Sequence, residues 1–177
     1  MARNLLNCYP FHTSADVVSN HGLHIAIAGF GVLGQTILMQ AIRLCHYDNS
    51  SLQLTIIDEN ISSKKADFLK SHPNLSDQFK INFMDIKDLK LCSEHLTSSV
   101  FVCIENDDVN AVRTNRLFIE KLRENINSAP VYLYLRDLKL SSDVENWDGQ
   151  TFPFSSNIFA HDISLQQNVD ALAINGN

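Results

Sequence analysis

The sequence predicts a doubly wound parallel α/β sheet of five to six strands with helices on both faces. Five short apolar segments alternate with helical segments, and no hairpin signal joins any two of them, which favours parallel strands. The 177 residues are 45% hydrophobic and 19% charged, a balance that is typical of one globular domain with its own core.

The strands are predicted from apolar runs that are bounded by turn-forming residues. They lie at residues 24–29, 52–58, 80–86, 98–106 and 129–137. The fourth run, SSVFVCIEN, is continuous and β-branched, as strands buried on both faces of a sheet are.

The intervening helices are predicted from the spacing of their apolar residues. Leu33, Ile37 and Ala41 recur every four positions after the first strand. A shorter helix ends before Pro73, a weak one follows the third strand, and the longest covers residues 107–126. We therefore assign residues 1–21 to a tether or edge segment, 22–140 to the α/β domain, and 141–177 to an irregular part with a candidate sixth strand at 157–162.

Charge and composition exclude several classes of function. The net charge of −6 makes the surface repulsive to a polyanion, so we expect no nucleic-acid partner. The four cysteines include no C-x-x-C pair and the histidines are scattered, so we expect buried structural thiols and no metal site. Without a signal peptide or an apolar stretch of roughly 20 residues, the chain is expected to be cytoplasmic, and attachment to membrane segments in a longer protein stays open.

The segment HIAIAGFGVLGQTI carries the strongest functional signal. Gly29, Gly31 and Gly34 are spaced G-x-G-x-x-G between a strand and a helix, the context of a Rossmann-like dinucleotide-binding loop. Gly29 permits the tight turn, Gly31 lets a phosphate approach the backbone, and Gly34 lets the helix pack against the strand. The helix N-terminus offers unpaired N–H groups to the phosphate.

Acidic residues end the next two predicted strands. Asp58 is the candidate ligand of the adenosine ribose. Glu59 and Asn60 follow it without an adjacent Arg or Lys, which favours NAD(H) or an adenine nucleotide over NADP. Asp85 either lines the ligand site or caps the helix after it. An S-adenosylmethionine-dependent methyltransferase is a less favoured alternative, because the first strand has no acidic residue.

Three further groups of charged residues have structural interpretations. Asp107 and Asp108 fall in the first turn of the longest helix, where its dipole favours negative charge. Arg116 lies four residues before Glu120, a spacing that favours a solvated ion pair. Arg136 ends the fifth strand and can pair either with a phosphate or with the Asp107–Asp108 turn.

Together, HIAIAGFGVLGQ, LTIIDEN, MDI, FVCIENDDVNAVRTNRL and VYLYLRD resemble the TrkA-N, or RCK N-lobe, family of nucleotide-sensing domains. The long first helix with RLCHY is similar to a subgroup found beside ryanodine-receptor-type repeats. The resemblance covers about residues 22–138. It implies a regulatory domain for potassium channels and transporters that binds NAD, NADH, ADP or ATP without turnover.

The resemblance also implies which residues would contact the nucleotide. The phosphates would lie on Gly29, Phe30, Gly31, Val32, Leu33 and Gly34. The ribose would contact Asp58, and the adenine would lie between Asp85 and Ile86. The far side of the site would be lined by Glu105, Asn106 and Asp107.

An NAD-dependent oxidoreductase is the alternative from another functional class. It would need a substrate domain and a catalytic acid or base, and only the short part after residue 137 is available, with no Ser-Tyr-Lys array. That part is unusually apolar for its length, so we expect it to pack on the sheet edge or on a second copy of the chain, giving a homodimer. The apolar residues on which this expectation rests are Ile158, Phe159, Ile163, Leu165, Val169 and Leu172.

Overall fold

The computed structural model describes residues 23–44, 52–89, 97–124, 129–137 and 151–155. The strands are β1 (His24–Ala28), β2 (Gln53–Ile57), β3 (Lys80–Met84), β4 (Ser99–Val102), β5 (Val131–Tyr134) and β6 (Thr151–Phe154). The helices are α1 (Val32–Leu44), α2 (Ile61–Ser71), the short α3 (Leu75–Gln78) and α4 (Asp108–Glu124), with a 3-10 turn at Ile86–Asp88.

The six strands form one sheet in the order β3-β2-β1-β4-β5-β6, and every neighbouring pair is parallel. This is the strand order of the doubly wound dinucleotide-binding sheet. The predicted fold class is confirmed, and the five predicted strands match β1 to β5 with shorter bounds.

Helices cover both faces of the sheet, because alternate residues of each strand point to opposite sides. On one face Ile25 and Ile27 of β1 belong to a buried cluster that includes Ile37 of α1 and Phe68 of α2. On the other face Ala26 of β1 and its neighbours pack in a second cluster with residues of α4. Two separate buried clusters, one on each face, therefore hold the sheet.

Strand β6 corrects one prediction, because residues 141–177 were expected to be irregular, with the candidate sixth strand at 157–162. Thr151–Phe154 pairs with β5 over four residues, including Leu133 with Pro153. Pro153 has no N–H to donate, which a strand tolerates when it lies at the end of the strand order, as β6 does. The proline and the four-residue length conceal the alternation in the sequence, although Phe154 is fully buried.

Several predictions concern residues outside the described ranges. They include the segment 1–21, the candidate strand at 157–162 and the apolar residues from which a homodimer is expected. Within the described ranges, no helix has the length and hydrophobicity needed to cross a membrane. In the same residues, no cluster of His, Cys, Asp or Glu is suited to hold a metal ion.

Candidate functional site

The glycine-rich loop lies at the point where the sheet changes direction. It connects the carboxyl end of β1 to α1, and β1 has β2 on one side and β4 on the other. Because the connections from β1 and from β4 leave on opposite faces of the sheet, a crevice opens between their carboxyl ends, where ligands of this fold class bind. The sequence-predicted loop is therefore at the position that a nucleotide site requires.

Two of the glycines are required by the packing of the loop. Gly29 has φ +91°, and a Cβ built on it would lie 2.7 Å from the carbonyl oxygen of Cys103. A Cβ on Gly34 would collide with the carbonyl oxygen of Gly29. The turn and the close approach of α1 to β1 thus depend on the absence of side chains, as predicted for these two positions.

Glu105 occupies the space beside the middle glycine of the motif, Gly31. Its carboxylate oxygen Oε2 contacts the position that a Cβ of Gly31 would take. The same oxygen accepts a hydrogen bond from the backbone N–H of Leu33, with 3.2 Å between nitrogen and oxygen. The sequence predicted Glu105 for the far side of the site, whereas its carboxylate lies on the N-terminus of α1.

The carboxylate of Asp58 binds the loop from the other side. Its Oδ2 accepts a hydrogen bond of 2.7 Å from the backbone N–H of Phe30, and Oδ1 accepts one of 2.8 Å from the N–H of Asn60. The ammonium group of Lys64 is also 2.7 Å from Oδ2. A carboxylate has about four acceptor positions, and donors within the described residues use three of those of Asp58.

The pKa of Asp58 reflects these opposing surroundings. Burial of the carboxyl group disfavours its ionised form and raises the pKa. The hydrogen bond from Lys64 and those from the N–H groups of Phe30 and Asn60 favour the ionised form and outweigh burial, so that the pKa lies below its usual value. Asp58 is therefore a carboxylate at neutral pH and holds the loop as an anion.

Lys64 is the site residue that the sequence analysis missed. It lies in the first turns of α2, six positions after Asp58, beyond the residues directly following that aspartate. The signal that would have found it is a lysine in the first turns of the helix after the second strand. Lys64 brings a cation to the carboxylate of Asp58 that the residues directly after this aspartate do not supply. The preference for NAD(H) over NADP stays a prediction.

Two side chains of the glycine-rich loop are buried in the core of the protein. The ring of Phe30 is buried against Phe68 and Phe83, at centroid distances of 5.1 and 5.8 Å. The side chain of Leu33 is also buried, so these two residues offer the site their backbone. The side chain of Val32, between them in the loop, is 76% exposed.

Asp85 and Ile86 lie after β3, at the same edge of the sheet. Asp85 Oδ1 accepts a hydrogen bond of 2.9 Å from the N–H of Lys87 and caps the 3-10 turn. Of the two roles considered for Asp85, the structure shows the capping role. Glu59, the residue after Asp58, is exposed.

The N-terminus of α4 follows β4, at the same edge of the sheet as the glycine-rich loop. Asp107 accepts a hydrogen bond of 2.9 Å from the N–H of Asn110, and Asn106 is exposed beside it. Asp108 is buried and accepts hydrogen bonds from the N–H groups of Arg136 and Asp137, at 3.1 and 3.0 Å. Asp107 therefore caps the helix, as predicted, whereas Asp108 lies in the predicted first turn but holds the segment after β5.

Two ion pairs predicted from the sequence are also observed. The Arg136 Nε atom lies 3.8 Å from Asp108 Oδ1, which is the second of the two pairings open to Arg136, and its side chain is 58% exposed. Arg116 and Glu120 are 3.2 Å apart on the exposed face of α4. The buried Cys103 thiol has a pKa raised by burial and then by the charge of Glu105, which agrees with a structural thiol.

The comparisons with known proteins leave the function open. No protein-family model matches the sequence, and neither does any curated protein. A solved structure, the tetrameric eIF2B-beta2-delta2 complex from C. thermophilum, is similar at 14% identity with a TM-score of 0.38. The match covers 76% of this chain and 38% of that chain, and at this TM-score it carries no argument.

Proposed function

We propose that this chain is a nucleotide-sensing regulatory domain that binds NAD(H) or an adenine nucleotide such as ADP or ATP. The observation that carries the proposal is the hydrogen bond from the N–H of Phe30 to Asp58 Oδ2. It joins the glycine-rich loop to the acidic end of β2, and these are the two parts that hold the phosphates and the ribose in dinucleotide-binding folds. Both lie at the switch point of the sheet.

The regulatory part of the proposal rests on the sequence resemblance to TrkA-N domains. A domain of that kind transmits nucleotide occupancy to an attached ion channel or transporter, and we propose the same task here. A homodimer and a cytoplasmic location belong to the same proposal.

A panel of ligands tests the binding function directly. We expect NAD, NADH, ADP or ATP to raise the melting temperature of the protein, since a ligand that binds only the folded state stabilises it. S-adenosylmethionine, which tests the methyltransferase alternative, is expected to give no shift. A fall in the absorbance of NADH in the presence of a candidate substrate would instead support an oxidoreductase.

Gly31→Val is the variant that locates the binding site. A branched side chain at Gly31 fills the space where we place the phosphates, so nucleotide binding should be lost while the fold remains. The collision inside the protein is with the end of the Glu105 side chain, which can rotate away. Unchanged affinity in the folded variant would show that no phosphate lies at this loop.

Asp58→Ala is the second variant. We expect it to weaken binding of adenosine nucleotides by roughly 1–3 kcal/mol, the usual cost of losing hydrogen bonds to a charged group. Equal affinities in calorimetry would remove Asp58 from the ribose site. A melting curve of this variant without ligand shows how much the loss of the Asp58 hydrogen bonds to the loop lowers the stability of the protein itself.

A further inference from the structure

The Glu105 carboxylate occupies both of the positions at which this loop would bind a phosphate. One is the N–H of Leu33 in the first turn of α1, which donates to Glu105 Oε2 over 3.2 Å. The other is the open space beside Gly31, which the same oxygen fills. A phosphate oxygen and this carboxylate oxygen cannot occupy one position, and their negative charges repel each other.

The contact that holds Glu105 is weak compared with those of Asp58. Within the described part of the chain, none of the observed ion pairs includes Glu105. Its carboxylate is held by the N–H of Leu33 and by the partial positive charge of the helix N-terminus. It lies on a half-buried bend between β4 and α4, and the side chain can rotate out of the crevice. Asp58, with three donors, cannot leave as readily.

We propose that Glu105 is an autoinhibitory anion, which occupies the phosphate position of α1 until a nucleotide displaces it. The inference rests on the proposed nucleotide-binding function and adds a regulatory element to the same site. Glu105 then opposes ligands that carry a phosphate at the loop and has little effect on a nucleoside that carries none. It sets the nucleotide concentration at which the domain responds.

Glu105→Gln tests this directly, because glutamine keeps the length and an acceptor oxygen but has no charge. We expect the dissociation constants of NAD and ADP to fall about fivefold, since a charged group at a helix N-terminus is held more strongly than a neutral one. Binding of adenosine, which has no phosphate, should stay the same. Glu120→Gln is the matched control: it makes the same change in net charge on the exposed face of α4 and should alter neither affinity.

The outcomes separate this inference from the proposed function. The inference is supported if Glu105→Gln binds ADP and NAD more tightly than the wild type does and Glu120→Gln does not. It is also supported if Glu105→Gln is the one protein of the three that binds these nucleotides measurably. Equal or weaker binding in this variant, with nucleotide binding by the wild type, overturns the inference and leaves the proposed function standing. If neither folded protein binds any nucleotide, both fail.

A measurement on the wild-type protein does not depend on the variant folding. The amide resonance of Leu33, followed by nuclear magnetic resonance, should shift when ADP is added, because its hydrogen-bond acceptor changes from Glu105 to a phosphate. Adenosine should leave this resonance in place. Bound ADP without a change at Leu33 would show that Glu105 remains on the helix, and would overturn the inference.

Discussion

Lys64 and Asp58 form an ion pair at the edge of the candidate site, with 2.7 Å between the ammonium nitrogen and Oδ2. The Asp58 side chain is 8% exposed and that of Lys64 is 37% exposed, so the pair has one buried anion and one cation that reaches solvent. The same carboxylate accepts the N–H of Phe30. The glycine-rich loop, the end of β2 and the start of α2 are thus connected through a single carboxylate.

Lys64→Gln tests whether this lysine affects the choice between dinucleotides. If Asp58 contacts the ribose, Lys64, which is bound to the same carboxylate, is a candidate cation for the 2′-phosphate of NADP. Its loss should weaken NADP relative to NAD by about fivefold, a change of about 1 kcal/mol in a charged contact. Calorimetric affinities for both cofactors give the ratio, and Lys70→Gln, on the exposed end of α2, is the control. An unchanged ratio would mean that Lys64 does not face the 2′-phosphate.

The pKa of Asp58 predicts how this site responds to acid. Because the folded-state pKa is lowered from 3.8, ionised Asp58 stabilises the fold above that value, and the stabilisation is lost as the pH falls through the lower, folded-state pKa. Asp58→Asn should therefore reduce the free energy of unfolding by roughly 1–3 kcal/mol at pH 7. Urea unfolding should show this difference shrinking below about pH 4. A difference that is the same at all pH values would exclude this role.

Gly29→Ala and Gly31→Ala form a matched pair at the same loop. At Gly29 the methyl group would lie 2.7 Å from the Cys103 carbonyl oxygen, on a backbone with φ +91°. We expect a loss of roughly 1–3 kcal/mol or more in the free energy of unfolding. At Gly31 the methyl group meets only the movable end of Glu105, so the change should stay within about 0.5 kcal/mol. Denaturant unfolding of both variants measures the contrast, and equal losses would contradict it.

Asp108→Ala should destabilise the protein more than Asp107→Ala. Asp108 is buried and accepts two N–H groups from the segment after β5, so its loss should cost roughly 1–3 kcal/mol. Asp107 caps α4 with one hydrogen bond at an exposed position, for which about 1 kcal/mol is usual. Melting temperatures of the two variants give the order, and the reverse order would assign the larger role to the cap.

The local features of the sequence determined most of the fold. The five predicted strands, the helices after the first, second and fourth of them, and the glycine loop all come from patterns within about 20 residues, where periodicity and the lack of a Cβ act directly. The same holds for Asp58 at the end of β2 and for the i,i+4 pair of Arg116 and Glu120. Strand β6 was not predicted, because a four-residue strand that contains Pro153 is too short to show the alternation of apolar and polar residues.

Only the tertiary structure decided what the site residues contact. Glu105 and Leu33 are 72 positions apart, and Phe30 and Asp58 are 28 apart, so no local pattern encodes either hydrogen bond. They form because β1 pairs with β2 on one side and with β4 on the other, which brings three strand ends to one crevice. The side chains then compete there for a few backbone N–H groups. That competition places a carboxylate where the sequence predicted a phosphate, since both are anions that a helix N-terminus attracts.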